Sequence, residues 1–245
     1  GGLEENGWAN PCGLEKARPT VDEWQNQFDQ EILDAARQTR VPSQLMKLIF
    51  AQESQFWPGA AMDAKIQEFG LGRLTELGAD TVLLWNYAFY SQFCPLVLAE
   101  STCEYGYSYL DDEDQAMLRG ALTLSVNADC STCPSGIDLS GIDFSIRLFA
   151  QTLLANCEQT GYLVNKVTRS SPGVAASYED LWRFTLVNYH AGPGCLEEAL
   201  NATRTKREAY TWNNVSKYMA PGCITAVDYV NQIVKMGDVF IQPTP

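Results

Sequence analysis

Apolar residues recur three and four positions apart along most of the chain, and alternation with a period of two is scarce. That pattern predicts a mostly helical fold with hardly any strand and no internal repeat. Thr20 and Glu23 form a capping box ahead of Trp24, Phe28, Ile32 and Ala35, so a helix is expected to about Arg40. The next, Val41 to Ser54, starts at Pro42, which suits a first helical turn. Met46, Ile49 and Phe50 lie seven, four and three positions before Glu53, so Glu53 falls on the apolar face. Pro58 and Gly59 should stop that helix, and a loop over residues 54–70 follows. Further helices are expected over Thr75–Phe93, Asp112–Val126, a long stretch from Ile142 to the Ser170-Ser171-Pro172-Gly173 loop, and Ser177 to Gly192-Pro193-Gly194. Shorter ones should cover Leu196–Thr203, Lys206–Tyr218 and Thr225–Met236. Residues 1–19 read as an irregular arm, 20–240 as the main domain and 241–245 as the start of a linker.

Within this helical pattern, residues 94–141 change character. They hold four of the eight Cys, a Tyr-rich run from Tyr105 to Tyr109 and an acidic run from Asp111 to Asp114, and read as an insertion stapled by disulfides. Eight scattered Cys beside a single His argue for disulfides in an oxidising, extracytoplasmic setting and against a Cys/His metal site. The Cys130–Cys133 pair sits in a loop-like context and reads as structural. Cys195 and Cys223 flank the last helices and are expected to pair. No free thiol is expected. No leader-like segment opens the chain, so any export signal would already have been shed.

Charge and length narrow the partners. The chain has 245 residues, 46% of them hydrophobic, enough for one large core. Its net charge is −13 with no basic cluster, which excludes ordinary phosphate-backbone recognition of nucleic acid. No apolar run reaches membrane-spanning length. Oligomeric state is left open.

Glu53 is the candidate for chemistry. A carboxyl facing inward at a helix C-terminus meets the negative end of the dipole and little water, and both raise its pKa. A carboxyl kept protonated near neutral pH can serve as a general acid. The competing reading is a buried Glu paired with an Arg. Phe56, Trp57 and Phe69 in the following loop suit either sugar stacking or core cover.

Three stretches in order carry a resemblance: Ala51-Gln52-Glu53-Ser54 at a helix end, Gly70-Leu71-Gly72-Arg73-Leu74 after a short loop, and Tyr189-His190-Ala191-Gly192-Pro193-Gly194 far downstream. Together with Tyr229-Val230 in the last helix, they resemble the soluble lytic transglycosylase family, which shares a lysozyme-like fold with goose-type lysozymes. That family has Glu-Ser, then Gly-Leu-Met-Gln, then Ala-Tyr-Asn-Ala-Gly-Pro-Gly. The resemblance covers about residues 20–75 and 140–235. It implies a lysozyme-like domain carrying a disulfide-stapled insertion, with Glu53 as catalytic acid and base. It places Tyr189 in the cleft, Tyr229 against the Glu53 carboxylate and Ser54 near the reacting sugar. Arg73 stands where the family has Gln, Gly72 where it has Met, His190 where it has Asn, and Asn188 where it has Ala. Arg73 and His190 then occupy sugar-contacting positions, though Arg73 could equally pair with Glu53. The implied substrate is peptidoglycan or a related N-acetylhexosamine glycan, cut between N-acetylmuramic acid and N-acetylglucosamine to 1,6-anhydro products, with no cofactor or metal. The rivals are a lysozyme or chitinase using Asp63 or Glu68 as second carboxylate, and a catalytically inactive glycan-binding scaffold.

Overall fold

A computed structural model describes residues 2–3, 10–63, 66–133 and 135–237, apart from the side chains of Met62, Asp63 and Ile66. The Asp63 carboxylate and the tail Gln242-Pro243-Thr244-Pro245 therefore lie outside what is described. The chain is mostly helical and carries three disulfides. Helices α1 (Pro11–Asn26), α2 (Asp29–Thr39) and α3 (Ser43–Glu53) come first, followed by a small antiparallel hairpin, β1 (Ala61–Asp63) and β2 (Ile66–Glu68). Then come α4 (Glu76–Trp85), α5 (Tyr87–Phe93), α6 (Glu100–Cys103), α7 (Asp112–Val126) and the 27-residue α8 (Ile142–Thr168). The chain continues through α9 (Pro172–Ala175), α10 (Tyr178–Ala191), α11 (Pro193–Lys206), α12 (Trp212–Val215) and α13 (Thr225–Lys235).

Helix α8 organises the rest, because it is buried on two sides. Ile146, Phe149, Ala150, Leu153, Leu163, Val164 and Val167 join the larger core, built with α2, α3, α10, α11 and α13. Leu148 and Ala155 face a smaller core made by α4, α5 and α7. A helix serving two apolar layers cannot show one clean amphipathic stripe. The second core begins at Leu74, so the segment read as an insertion from residue 94 packs as one layer with α4 and α5.

Several boundaries differ from the sequence reading. Residues 11–19 are helical: Asn10 caps α1 by accepting from Gly13 N at 3.0 Å, and Thr20 lies in mid-helix. The stretch to Arg40 is two helices, broken at Gln27 and Phe28. The Thr75–Phe93 stretch also divides, at Asn86, whose side chain accepts from Phe89 N and donates to Gln151 Oε1 at 2.7 Å. An amide side chain that satisfies the new helix start and grips α8 makes the break stable. Helix α11 runs to Lys206 and ends with Arg207 in the left-handed region, so no continuous helix spans Lys206–Tyr218. Cys195 does pair with Cys223, and Cys94–Cys103 and Cys130–Cys133 close short loops inside the 94–141 segment. Cys12 and Cys157 are free thiols, one exposed on α1 and one half-buried in α8, contrary to the expectation of complete pairing. Among the described residues no helix is long and apolar enough to cross a membrane.

Candidate active site

Helix α3 delivers Glu53 because Leu45, Met46, Ile49 and Phe50 are fully buried on the same side. The helix stops one residue later. Ser54 N, Ser54 Oγ and Phe56 N all donate to the Phe50 carbonyl, at 3.1, 3.1 and 3.2 Å, while Gln55 and Phe56 take left-handed φ values of 51° and 63°. Two non-glycine residues in that region cost backbone energy. Phe56 offsets this by burying its ring against Phe28 and Phe50. The carboxyl of Glu53 is left half-buried, and burial is the main cause that pushes its pKa above the usual carboxylate value. Tyr229, from α13, opposes this by donating its hydroxyl to Glu53 Oε1 at 2.6 Å. The Glu68 charge raises the value further, and Arg73 lowers it least of these.

Tyr229 is held in turn. It is buried, and the His190 ring stacks on it with centroids 4.2 Å apart and planes 12° from parallel. Burial lowers the His190 pKa, so the imidazole is mainly neutral at pH 7. The adjacent Tyr189 donates to the Gly72 carbonyl at 2.5 Å and meets Phe149 edge to face. Both aromatic residues sit at the end of α10, which Gly192 stops with φ 85°.

The turn at Gly70-Leu71-Gly72-Arg73 closes through paired backbone bonds between Phe69 and Leu74. Gly72 is required by packing: a Cβ there would lie 2.1 Å from the Phe149 ring. The Arg73 side chain meets Glu53 at the main chain, not at the carboxyl. Its Nε donates to the Glu53 carbonyl at 3.3 Å and Nη1 to the Gly59 carbonyl at 3.4 Å. A guanidinium on the last carbonyl of α3 complements the helix end and leaves the carboxyl unpaired by Arg.

These groups surround a cavity of about 580 Å³, within the range that holds a small ligand. One wall is a stripe along α8, from Ser145 and Phe149 through Thr152 to Asn156 and Gln159. Fourteen helical steps make it about 21 Å long. Leu77, Thr81, Leu84 and Trp85 of α4 also line the cavity, and the end of α10 supplies Asn188, Tyr189 and His190. Of the residues singled out in the sequence, Glu53, Glu68, Arg73, Tyr189 and His190 line this one cavity. Tyr229 stands behind Glu53, while Ser54 is only 4% exposed, spends its hydroxyl on Phe50 and lines no part of it.

No protein-family model matches the chain, and no curated protein matches it at a significant level.

The polar stripe Thr152, Asn156, Gln159 escaped the sequence reading, although its four- and three-residue spacing on α8 was visible beside the apolar series. Among the aromatics, Phe69 lines the cavity, Phe56 is core, and Trp57 stacks on Trp24 away from it. Tyr107 is buried and bonds to Asp80 and Arg119, whereas Tyr105 and Tyr109 are exposed. No cluster of three metal-ligating side chains occurs among the described residues. Chemically, the arrangement offers a carboxyl whose pKa burial raises, oriented by a phenol, in the lining of a cavity that runs along α8.

Proposed function

We propose that the protein is a lytic transglycosylase, built on a lysozyme-like domain and acting outside the cytoplasm on peptidoglycan. The observation that carries this reading is the Glu53 carboxyl, with its pKa raised by burial and its Oε1 held by Tyr229 inside an elongated cleft. Protonated Glu53 gives its proton to the glycosidic oxygen between N-acetylmuramic acid and N-acetylglucosamine. The bond to that oxygen breaks, and positive charge develops at C1 as an oxocarbenium-like state. The C6 hydroxyl of the same sugar closes onto C1, and the ionised Glu53 takes its proton. Product is a 1,6-anhydro sugar, and the carboxyl returns to its starting state. Tyr229 steadies the carboxylate formed midway, since its hydrogen bond favours the charged form. No cofactor takes part.

Arg73 bears on the inactive-scaffold alternative. A guanidinium paired with the carboxyl would hold Glu53 ionised and unfit as an acid. Its bonds to the Glu53 and Gly59 carbonyls leave the acid free to titrate.

One observation favours a second reading, hydrolysis on the same scaffold. Glu68 lines the cavity with Glu53 and is close enough for its charge to raise the Glu53 pKa. A second carboxylate so placed could activate water.

The substitution Glu53→Gln keeps shape and removes the titrating proton. Digestion of purified peptidoglycan strands should slow by roughly two orders of magnitude or more. Unchanged turnover would remove Glu53 from the mechanism.

A further inference from the structure

Two of the three disulfides are set into the cores. Cys94 and Cys103 are 0% and 7% exposed, Cys223 is 8% exposed, and its partner Cys195 packs against the larger core. Cys130–Cys133 is different. Both residues are partly exposed, and Ser131 and Thr132 between them are exposed. Joining residues three apart removes less chain entropy than separations of 9 or 28, so this bond adds least to global stability. What it holds is local. It closes a loop that leaves α7 at Asn127 and returns at Asp138, where Asp138 N donates to the Ala128 carbonyl at 2.8 Å and Cys130 N to the Gly136 carbonyl at 2.9 Å. That loop grips the segment after α3. Ala128 N donates to the Pro58 carbonyl at 3.2 Å, and Ala60 N donates to Asp129 Oδ2 at 3.1 Å. The approach is so close that a Cβ on Gly59 would lie 2.2 Å from Asp129 Oδ1. The Gly59 carbonyl in turn accepts from Arg73, whose guanidinium also holds the Glu53 carbonyl. A continuous path of contacts therefore runs from an exposed disulfide to the end of α3. The same loop walls a second, polar pocket of about 390 Å³, which shares Val126 and Ser145 with the main cavity.

We propose that Cys130–Cys133 is a site of thiol–disulfide exchange, at which an external dithiol unlatches this loop from the edge of the cleft. A thiolate of the dithiol attacks one of the two sulfurs, and a mixed disulfide forms. The Cys130–Cys133 bond breaks, and the departing sulfur takes a proton from solvent. The second thiol of the reagent then displaces the remaining protein sulfur, which is protonated in turn. Two electrons have moved to the protein, which holds two thiols, and the reagent leaves as its own disulfide. Access decides which disulfide reacts first, because the thiolate must reach a sulfur. Thr132 Oγ1 lies 3.6 Å from Cys130 Sγ, placed to donate to that sulfur as it leaves. With the link gone, only backbone bonds hold the turn at Cys130, and the grip of Ala128 and Asp129 on residues 58–60 loosens. The two core disulfides stay closed, so the change is confined to the cleft edge. The latch is independent of what the cleft binds.

Treating the folded wild-type chain with dithiothreitol for graded times, alkylating the freed thiols and mapping them by peptide mass tests the exchange site. Cys12 and Cys157 are free from the start and do not count as reduced. Cys130 and Cys133 should become reduced faster than the four Cys of the core disulfides by roughly tenfold or more. Hydrogen exchange of the selectively reduced protein tests the latch. The Ala60 and Ala128 amides, which the loop contacts protect, should exchange faster by roughly tenfold or more, while amides in the middle of α8 keep their protection. The double variant Cys130→Ser, Cys133→Ser should show the same fast exchange without reductant and no further response to it. If that variant misfolds, the wild-type measurements decide alone. Reduction of all three disulfides together, or of Cys130–Cys133 last, overturns the exchange site. Selective reduction that leaves Ala60 and Ala128 as protected as before overturns the latch.

Discussion

Replacing Tyr229 with Phe isolates what the phenol does to Glu53. The ring stays, so its stacking on His190 at 4.2 Å and its place in the core are kept. What goes is one short hydrogen bond, 2.6 Å to Glu53 Oε1. A hydrogen bond to a charged group is worth roughly 1.5–3 kcal/mol, and one pKa unit is about 1.4 kcal/mol. Part of the bond survives when the carboxyl is protonated, so the differential loss should raise the Glu53 pKa by about one unit. The linkage follows from a carboxyl whose folded pKa already lies above its unfolded value of about 4.3. Its contribution to stability is complete below that unfolded value and is lost as pH rises through the folded pKa. Raising the folded value further widens the window of loss. Tyr229→Phe should therefore cost about 1 kcal/mol at acid pH, and at alkaline pH about 1.4 kcal/mol more. NMR titration of isotopically labelled glutamate carboxyls reads the pKa directly, and denaturant melts at the two pH extremes read the linkage. An unchanged or lowered Glu53 pKa in the variant would refute the assigned role of the phenol.

Other expectations follow from single contacts. Glu53→Gln should stabilise the fold at alkaline pH, where wild type must hold a half-buried charge, and should change little at acid pH, as read by thermal melting at both ends. Gly72→Ala drives a methyl into the Phe149 ring and should cost about 1–3 kcal/mol in denaturant unfolding, with loss of ligand binding as Phe149 shifts. Thiol titration of the denatured, unreduced chain should find two reactive groups, Cys12 and Cys157, and eight would contradict the disulfides. Removing Cys195–Cys223, which closes a 28-residue separation, should lower stability by about 3–4 kcal/mol.

What could be read in advance follows the physics of each signal. Helix α3 and the inward face of Glu53 were legible because Met46, Ile49 and Phe50 set the phase of the helix before any tertiary contact is known. The end of α10 was legible because Gly192 supplies a backbone conformation that other residues avoid. The break at Phe28 was hidden because no Gly or Pro marks it, and the one at Asn86 because its partner Gln151 lies on a distant helix. Helix α1 was hidden by a start at Asn10-Pro11 inside Gly-rich and Pro-rich sequence. The aim of Arg73 at carbonyls, not at the carboxyl, depends on where the turn at Gly70 places its backbone, with φ 50° at Arg73 itself. Ser54 follows Glu53 in sequence, yet its hydroxyl bonds back to Phe50, a local option open to Ser at any helix end. The Asn188 amide of α10 donates to the Asn156 carbonyl of α8 across 32 positions, and spacing along one helix cannot report such a pairing.

In the proposed mechanism Glu53 acts alone, with the sugar's own hydroxyl as nucleophile. Digestion of purified peptidoglycan in heavy-oxygen water, with products resolved by mass, tests it most directly. Anhydro-ended fragments without heavy label at the new end are predicted. Labelled reducing ends would contradict the claim and, if lost in Glu68→Gln, would make Glu68 the base of a hydrolase.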